Sequence, residues 1–223
     1  VVTGKPIVLG GSLGRNSATG DGVAIAAREA LKSRNIPIEG ARVAIQGFGK
    51  VGYWAAKAVE KMGMKVVAIT DVSGGATGFA TIDELWEGIK EHGTLANIPG
   101  LDRITNEELL HFDCDVLIPA ALADSLTGKS SLGVRAKIIV EGANAPTTPS
   151  GDDVLNDKGI LVVPDILANS GGVIVSYFEW VQDNQDYFWT LDEVAERLNK
   201  MMMRAISEVH DLSDTKGISW RTA

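Results

Sequence analysis

Arg42-Val43-Ala44-Ile45-Gln46-Gly47-Phe48-Gly49-Lys50-Val51-Gly52, continued by Tyr53-Trp54-Ala55-Ala56-Lys57-Ala58-Val59-Glu60-Lys61-Met62, decides how the chain is read. The apolar run before Gly47 has the pattern of a buried parallel strand, and Val51, Ala55, Ala58, Val59 and Met62 fall on one helical face. Three fixed glycines recur by chance, but strand, glycine turn and helix together supply the context that makes G-x-G-x-x-G a dinucleotide-binding fingerprint. Gly47 permits the tight turn, Gly49 lets a pyrophosphate reach backbone N–H groups at the helix N-terminus, and Gly52 lets helix and strand pack closely. The next strand, Lys65 to Thr70, runs into Asp71, 24 residues after Gly47, an acid suited to a ribose 2′-hydroxyl.

Outward from this stretch, short apolar strands alternate with helices. Asp115 to Ile118, Ala136 to Val140 and Ile160 to Val163 are β-branched and end at polar or proline-containing loops. Thr81 with Glu84, Thr105 with Glu108 and Thr190 with Glu193 have capping-box spacing and mark three helix starts, while Ser73 to Gly78 reads as a loop. The expected fold is α/β: a doubly wound, mostly parallel Rossmann-type sheet with helices on both faces. A single dinucleotide-binding unit is expected over 1–223, with a leading loop and helix (1–40), a core (41–165) and C-terminal helices (166–223).

Ligands of such a sheet sit beyond the carboxyl ends of its strands. That draws attention to Pro119-Ala120-Ala121, to Glu141 through Pro149 and to Pro164 through Val173. Asn144 and Asn169 are two-ended hydrogen-bonders that suit a carboxamide or ribose hydroxyls, and equally suit caps or turns. The glycine-rich opening feeds a helix carrying Val23, Ala26, Ala27, Ala30 and Leu31. Near its start, Arg15 and Thr19 taken alone read as a solvated arginine and an N-cap. Ser170 to Gln185 reads as a helix, and with the residues after it carries Tyr177, Phe178, Trp180, Tyr187, Phe188 and Trp189, either packing or a surface awaiting cover. In the last helix Leu191, Val194, Ala195, Leu198, Met201, Met202 and Ala205 read as one core face.

The 223 residues are 45% hydrophobic, enough for a sizeable core. The net charge of −8, with Lys and Arg scattered, argues against nucleic acid or an anionic membrane as partner. No apolar run reaches the roughly 20 residues of a membrane span and the first residues lack signal-peptide character, so a cytoplasmic protein is expected. The single cysteine, Cys114, lies in an apolar segment and reads as an inert buried thiol, and His92, His111 and His210 have no ligand spacing, so no metal site is expected.

Four motifs in order, Ser12-x-x-Arg15-x-x-Ala18-Thr19-Gly20, Gln46-Gly47-Phe48-Gly49-x-Val51-Gly52, Glu141-Gly142-Ala143-Asn144-x-Pro146-Thr147-Thr148-Pro149 and Asn169-x-x-Gly172-Val173-x-x-Ser176-Tyr177-Phe178-Glu179-Trp180, resemble the coenzyme domain of hexameric glutamate dehydrogenases. The resemblance runs from about Val1 to Ala223. It implies that Arg15 and Thr19 face the nicotinamide side of a cleft lined by Ala120 and Ala121. It further implies that Gly47, Phe48, Gly49, Lys50, Val51, Gly52 and Asp71 hold the coenzyme, and that Asn144 and Asn169 hold nicotinamide ribose, carboxamide or substrate. Ser176 would meet the distal carboxylate of glutamate, with Gly172 and Val173 forming the wall beside it.

The resemblance also implies a missing substrate domain, which in the family supplies the lysines and the aspartate of catalysis. No catalytic residue is therefore expected in this chain. The expected behaviour is NAD binding without turnover, with NADP possible because Lys50, where asparagine is common, could offset repulsion by Asp71. Glutamate or 2-oxoglutarate would bind only with the absent domain, and the parent would be a homohexamer. A dinucleotide sensor, or the coenzyme domain of another amino-acid dehydrogenase, is the alternative.

Overall fold

The computed structural model describes residues 2–223. In chain order its elements are α1 (Ala18–Ser33), β1 (Arg42–Gln46), α2 (Lys50–Lys61), β2 (Lys65–Asp71), β3 (Gly74–Thr77), α3 (Ile82–His92), β4 (Asp102–Ile104), α4 (Asn106–Leu110), β5 (Val116–Pro119), α5 (Gly128–Ser131), β6 (Ile138–Val140), α6 (Pro149–Asp157), β7 (Leu161–Val163), α7 (Asp165–Ala168), α8 (Gly171–Gln185) and α9 (Leu191–Lys216). They build one seven-stranded sheet in the order β4-β3-β2-β1-β5-β6-β7. Every pairing from β2 across to β7 is parallel, whereas β3 pairs antiparallel with β2 and with β4. The order reverses between β1 and β5, which opens a crevice at their carboxyl ends.

Alternate strand residues feed two cores. Val43, Ile45, Val116 and Ile118 face a layer of α1, α2, α8 and α9, and Ala44, Ala68, Leu117 and Ile139 face Leu109 of α4 and Leu155 of α6. α1 is buried nearly all round, because its small residues let neighbours approach closely. A Cβ on Gly20 would lie 2.5 Å from the backbone nitrogen of Ala55. A helix outside the minimal dinucleotide fold is thus the centre of one layer, and it delivers Arg15 and Thr19 to the crevice.

The segment Ser73 to Gly78, read as a loop, instead forms β3. Only Val72 and Ser73 separate it from β2, and so short a link permits only an antiparallel return. Glycine is required there: a Cβ on Gly75 would sit 2.4 Å from Thr70 Cγ2. The strands expected from Asp115, Ala136 and Ile160 begin one or two residues later than read. The threonine helix starts hold: Thr105 and Thr190 form full capping boxes, and Thr81 accepts from the N–H of Glu84. The face expected of α9 is only partly core, since Val194, Leu198, Met202 and Ile206 are buried but Leu191 and Met201 are exposed. Gly217, at φ +63°, ends this helix, and the following turn buries Trp220.

Candidate functional site: a cleft at the strand carboxyl ends

The glycine turn between β1 and α2 separates three steric roles. Gly47 has φ +95°, and a Cβ there would lie 2.9 Å from the Ala120 carbonyl oxygen and from Ala121 Cα. On Gly52 a Cβ would come within 1.8 Å of the Gly47 carbonyl oxygen, so helix and turn touch only because that atom is absent. At Gly49 nothing lies within 4 Å of the added position, which is open space. Gly49 is also the N-cap of α2, and no side chain caps that helix. Its first N–H groups and positive dipole end are therefore left for an anion.

Beside this turn lies a cleft of about 770 Å³. It gathers Arg15 and Thr19 from the approach to α1 and its first turn, Val51 from α2, Ala120 and Ala121 after β5, Asn144 after β6, Asn169 after α7, and Gly172, Val173 and Ser176 from α8. Residues that are distant in sequence meet here in pairs. Arg15 Nε donates to Ser176 Oγ at 2.8 Å, and that hydroxyl donates to the Gly172 carbonyl at 3.1 Å. Asn169 Nδ2 donates to Asn144 Oδ1 at 2.8 Å. A Cβ on Gly172 would be 2.5 Å from Thr19 Oγ1, so glycine keeps α8 against the start of α1.

The other expected site residues lie outside the cleft. Lys50 is exposed and donates to Asn16 Oδ1 at 3.2 Å. Phe48 turns its side chain into the core, edge-on to Trp86, and leaves only its backbone to the turn. Asp71 accepts from the N–H and hydroxyl of Ser73 at 2.7 and 2.5 Å, and from the N–H of Leu95 at 2.8 Å. It is thus held rigidly, with a single lone pair of Oδ2 left over. Buried beside it at the ends of β1 and β2, Gln46 Oε1 and Thr70 Oγ1 have no hydrogen-bond partner among the described residues.

Sequence reading missed Thr3, Leu122, Ala123, Gly142 and Ala143 as lining residues. Gly142 and Ala143 stand in a loop that was singled out. Thr3 gives no local signal, since its place follows from Glu179, buried on α8, which accepts from the N–H groups of Gly4 and Lys5 at 3.0 and 3.1 Å and from Lys5 Nζ at 2.8 Å. Cys114 is buried, and burial pushes its thiol up to about 12, which leaves it inert. Among the described residues no three His, Cys, Asp or Glu side chains could hold a metal ion, and no helix is long and apolar enough to cross a membrane.

Residues 10–223 match the family model described as Glutamate/Leucine/Phenylalanine/Valine dehydrogenase. The chain belongs to this dehydrogenase family. It is 50% identical to the glutamate dehydrogenase of Thermotoga maritima over all of this chain and 54% of that protein. It is 48% identical to the cryptic catabolic NAD-specific glutamate dehydrogenase of Bacillus subtilis, again over all of this chain and 52% of the relative. Among family structures, the hetero-hexameric glutamate dehydrogenase of Thermus thermophilus superposes with a TM-score of 0.92 at 37% identity, over 99% of this chain and 53% of that one. The enzyme of Peptoniphilus asaccharolyticus gives 0.85 at 40% identity, over 98% and 52%. The chain thus spans about half the length of these dehydrogenase relatives.

Proposed function

We propose that this chain is the NAD-binding half of a glutamate dehydrogenase, a single dinucleotide-binding unit that holds the coenzyme across the crevice between β1 and β5. The observation that carries this reading is the contrast between Gly49, open where a diphosphate would lie, and Gly47 and Gly52, which have no room for a Cβ. Val51, Ala120 and Ala121 would flank the coenzyme, and Asn144 and Asn169 offer amide donors and acceptors to the nicotinamide end. Asp71 favours a free ribose 2′-hydroxyl over a 2′-phosphate, in line with relatives named NAD-specific.

NAD, when bound, supplies the hydride acceptor, and the chain's own residues orient it. Arg15 sets a cation beside the Ser176 hydroxyl, so the two together suit a carboxylate at the α8 end of the cleft. Nothing else in the lining carries a charge, and no lining side chain can take or give a proton near neutrality. Oxidation of glutamate needs such groups within hydrogen-bond reach. On this reading they come from a part of the enzyme other than this cleft, and we assign the chain binding without turnover. The full-length parent is proposed to be a cytoplasmic homohexamer.

Titration of NADH fluorescence should saturate, while glutamate with NAD⁺ should yield no NADH from this chain alone. Measurable turnover, or no binding, would overturn the proposal. NAD⁺ should bind more tightly than NADP⁺, and Asp71→Ser should narrow the gap at a cost in melting temperature, because it also frees the N–H groups of Ser73 and Leu95. The lack of a proton-transfer group equally suits a binding-only sensor. The two readings part when the substrate-binding half of a relative is added in trans, since only a dehydrogenase half regains turnover.

A further inference from the structure

We infer that Arg221 is a positioning residue for the asparagine pair of the cleft, acting through the buried carboxylate of Glu141. This rests on the dinucleotide reading above. Arg221 Nη2 donates to Glu141 Oε1 at 2.6 Å, and its Nε donates to Asp152 Oδ1 on α6 at 3.0 Å. The Glu141 side chain is wholly buried at the end of β6, where an ionised carboxylate needs a countercharge. Its second oxygen accepts from the N–H of Asp165 at 2.9 Å and so fixes the start of α7. Asp165 passes the constraint on: Oδ2 accepts from the N–H of Ala145 at 2.7 Å, and Oδ1 from that of Ile166 at 2.7 Å.

Ala145 has φ +47°, a left-handed conformation that alanine avoids, so the bond from Asp165 holds a bend the chain would otherwise relax. Asn144 is the residue before that bend, and Asn169 is the residue that closes α7. Both ends of the relay thus converge on the 2.8 Å bond between the two amides. Neither Arg221 nor Glu141 lines the cleft, and the relay does not pass through the glycine turn.

The test compares two ligands by calorimetry on the whole chain: NAD⁺, and ADP, which has the adenosine and diphosphate but lacks the nicotinamide riboside. For Arg221→Met we expect the NAD⁺ dissociation constant to rise about tenfold while that of ADP stays within about twofold. Arg221→Lys, which keeps the charge but not the forked donors, should come back to within about threefold of wild type for NAD⁺. Glu141→Gln combined with Arg221→Met removes the fully buried charge along with its partner and still offers Asp165 an oxygen, while Asp152, partly exposed and still bonded by Asn156, tolerates the loss of its arginine, so most of the affinity should recover.

If Arg221→Met does not fold by near-ultraviolet circular dichroism, the same NAD⁺-against-ADP comparison, with the same tenfold and twofold expectations, is read on Asp165→Ala, which removes the oxygen that holds Ala145 and does not line the cleft. Equal weakening of both ligands, or no change in either, overturns the inference. If the wild-type chain binds NAD⁺ no better than ADP, the asparagines contribute nothing and the inference falls while the dinucleotide reading stands. If it binds neither, both fall.

Discussion

A methyl group fits at Gly49, and on the proposed reading it would take up space that a diphosphate needs. Gly49→Ala should therefore fold normally, with a loss under about 1 kcal/mol for a poorer N-cap, yet raise the coenzyme dissociation constant tenfold or more, about 1.4 kcal/mol. Gly52→Ala should do the reverse in order of severity: with a Cβ 1.8 Å from the Gly47 carbonyl, it displaces α2 and costs about 1–3 kcal/mol or more of stability. Thermal melts with and without NADH separate the two, and equal melting temperatures for the variants would contradict the assigned roles. The crowding at Gly47 and Gly52 was legible in the sequence because a tight turn writes its steric demands into residue spacing. The pairing of Arg15 with Ser176 was not, because 161 residues separate them and each has an ordinary local explanation. Asp71 was legible as an acid at a strand end, but not as one already held by Leu95, since that contact depends on where the turn after α3 comes to rest.

Helix starts were the most readable elements, because their signal is carried within four residues. Thr190 accepts from the N–H of Glu193 at 3.3 Å, while the Glu193 carboxylate takes the N–H and hydroxyl of Thr190 at 2.7 and 2.9 Å. Thr190→Ala should cost about 1 kcal/mol at the head of the 26-residue α9, seen as a lowered urea midpoint with an unchanged slope. An unaltered midpoint would mean that packing of Val194 and Leu198 alone fixes that end. The antiparallel strands β3 and β4 were illegible for a physical reason. In β3, glycines that serve close approach to Thr70 and Ile104 leave no β-branched pattern; β4 is only three residues, two of them charged; and the pairing that makes both strands comes from elsewhere in the chain. The aromatic segment divided in the same way: Phe178 is buried edge-on to Trp189, while Tyr177 and Trp180 stack in the open. Composition alone does not distinguish these fates.

For the molecule as a whole, Glu179 ties the N-terminal approach to α8. Burial raises its pKa, but Lys5 Nζ and the N–H groups of Gly4 and Lys5 outweigh burial and hold the carboxyl below the usual glutamate range. A carboxyl depressed by folding stabilises fully above its unfolded value of about 4.3, and that contribution fades as pH falls through the lower folded value. Stability should therefore drop on acidification below about pH 4.3, and Glu179→Gln should lower stability at pH 7 while flattening this acid limb. Urea midpoints measured from pH 3 to 7 check it, and parallel curves for the two proteins would exclude the tether as a contributor. The same architecture has a consequence at the far margin of the sheet. β4 is three residues long, its Asp102 and Arg103 are exposed, and the Arg103 guanidinium crosses to the carbonyls of Leu95 and Ile98. Unpaired strand margins invite intermolecular ladders, and short charged ones discourage them. Copies meeting at the β4 rim encounter ionic groups in place of a free template, which disfavours ladder growth from that side of the sheet.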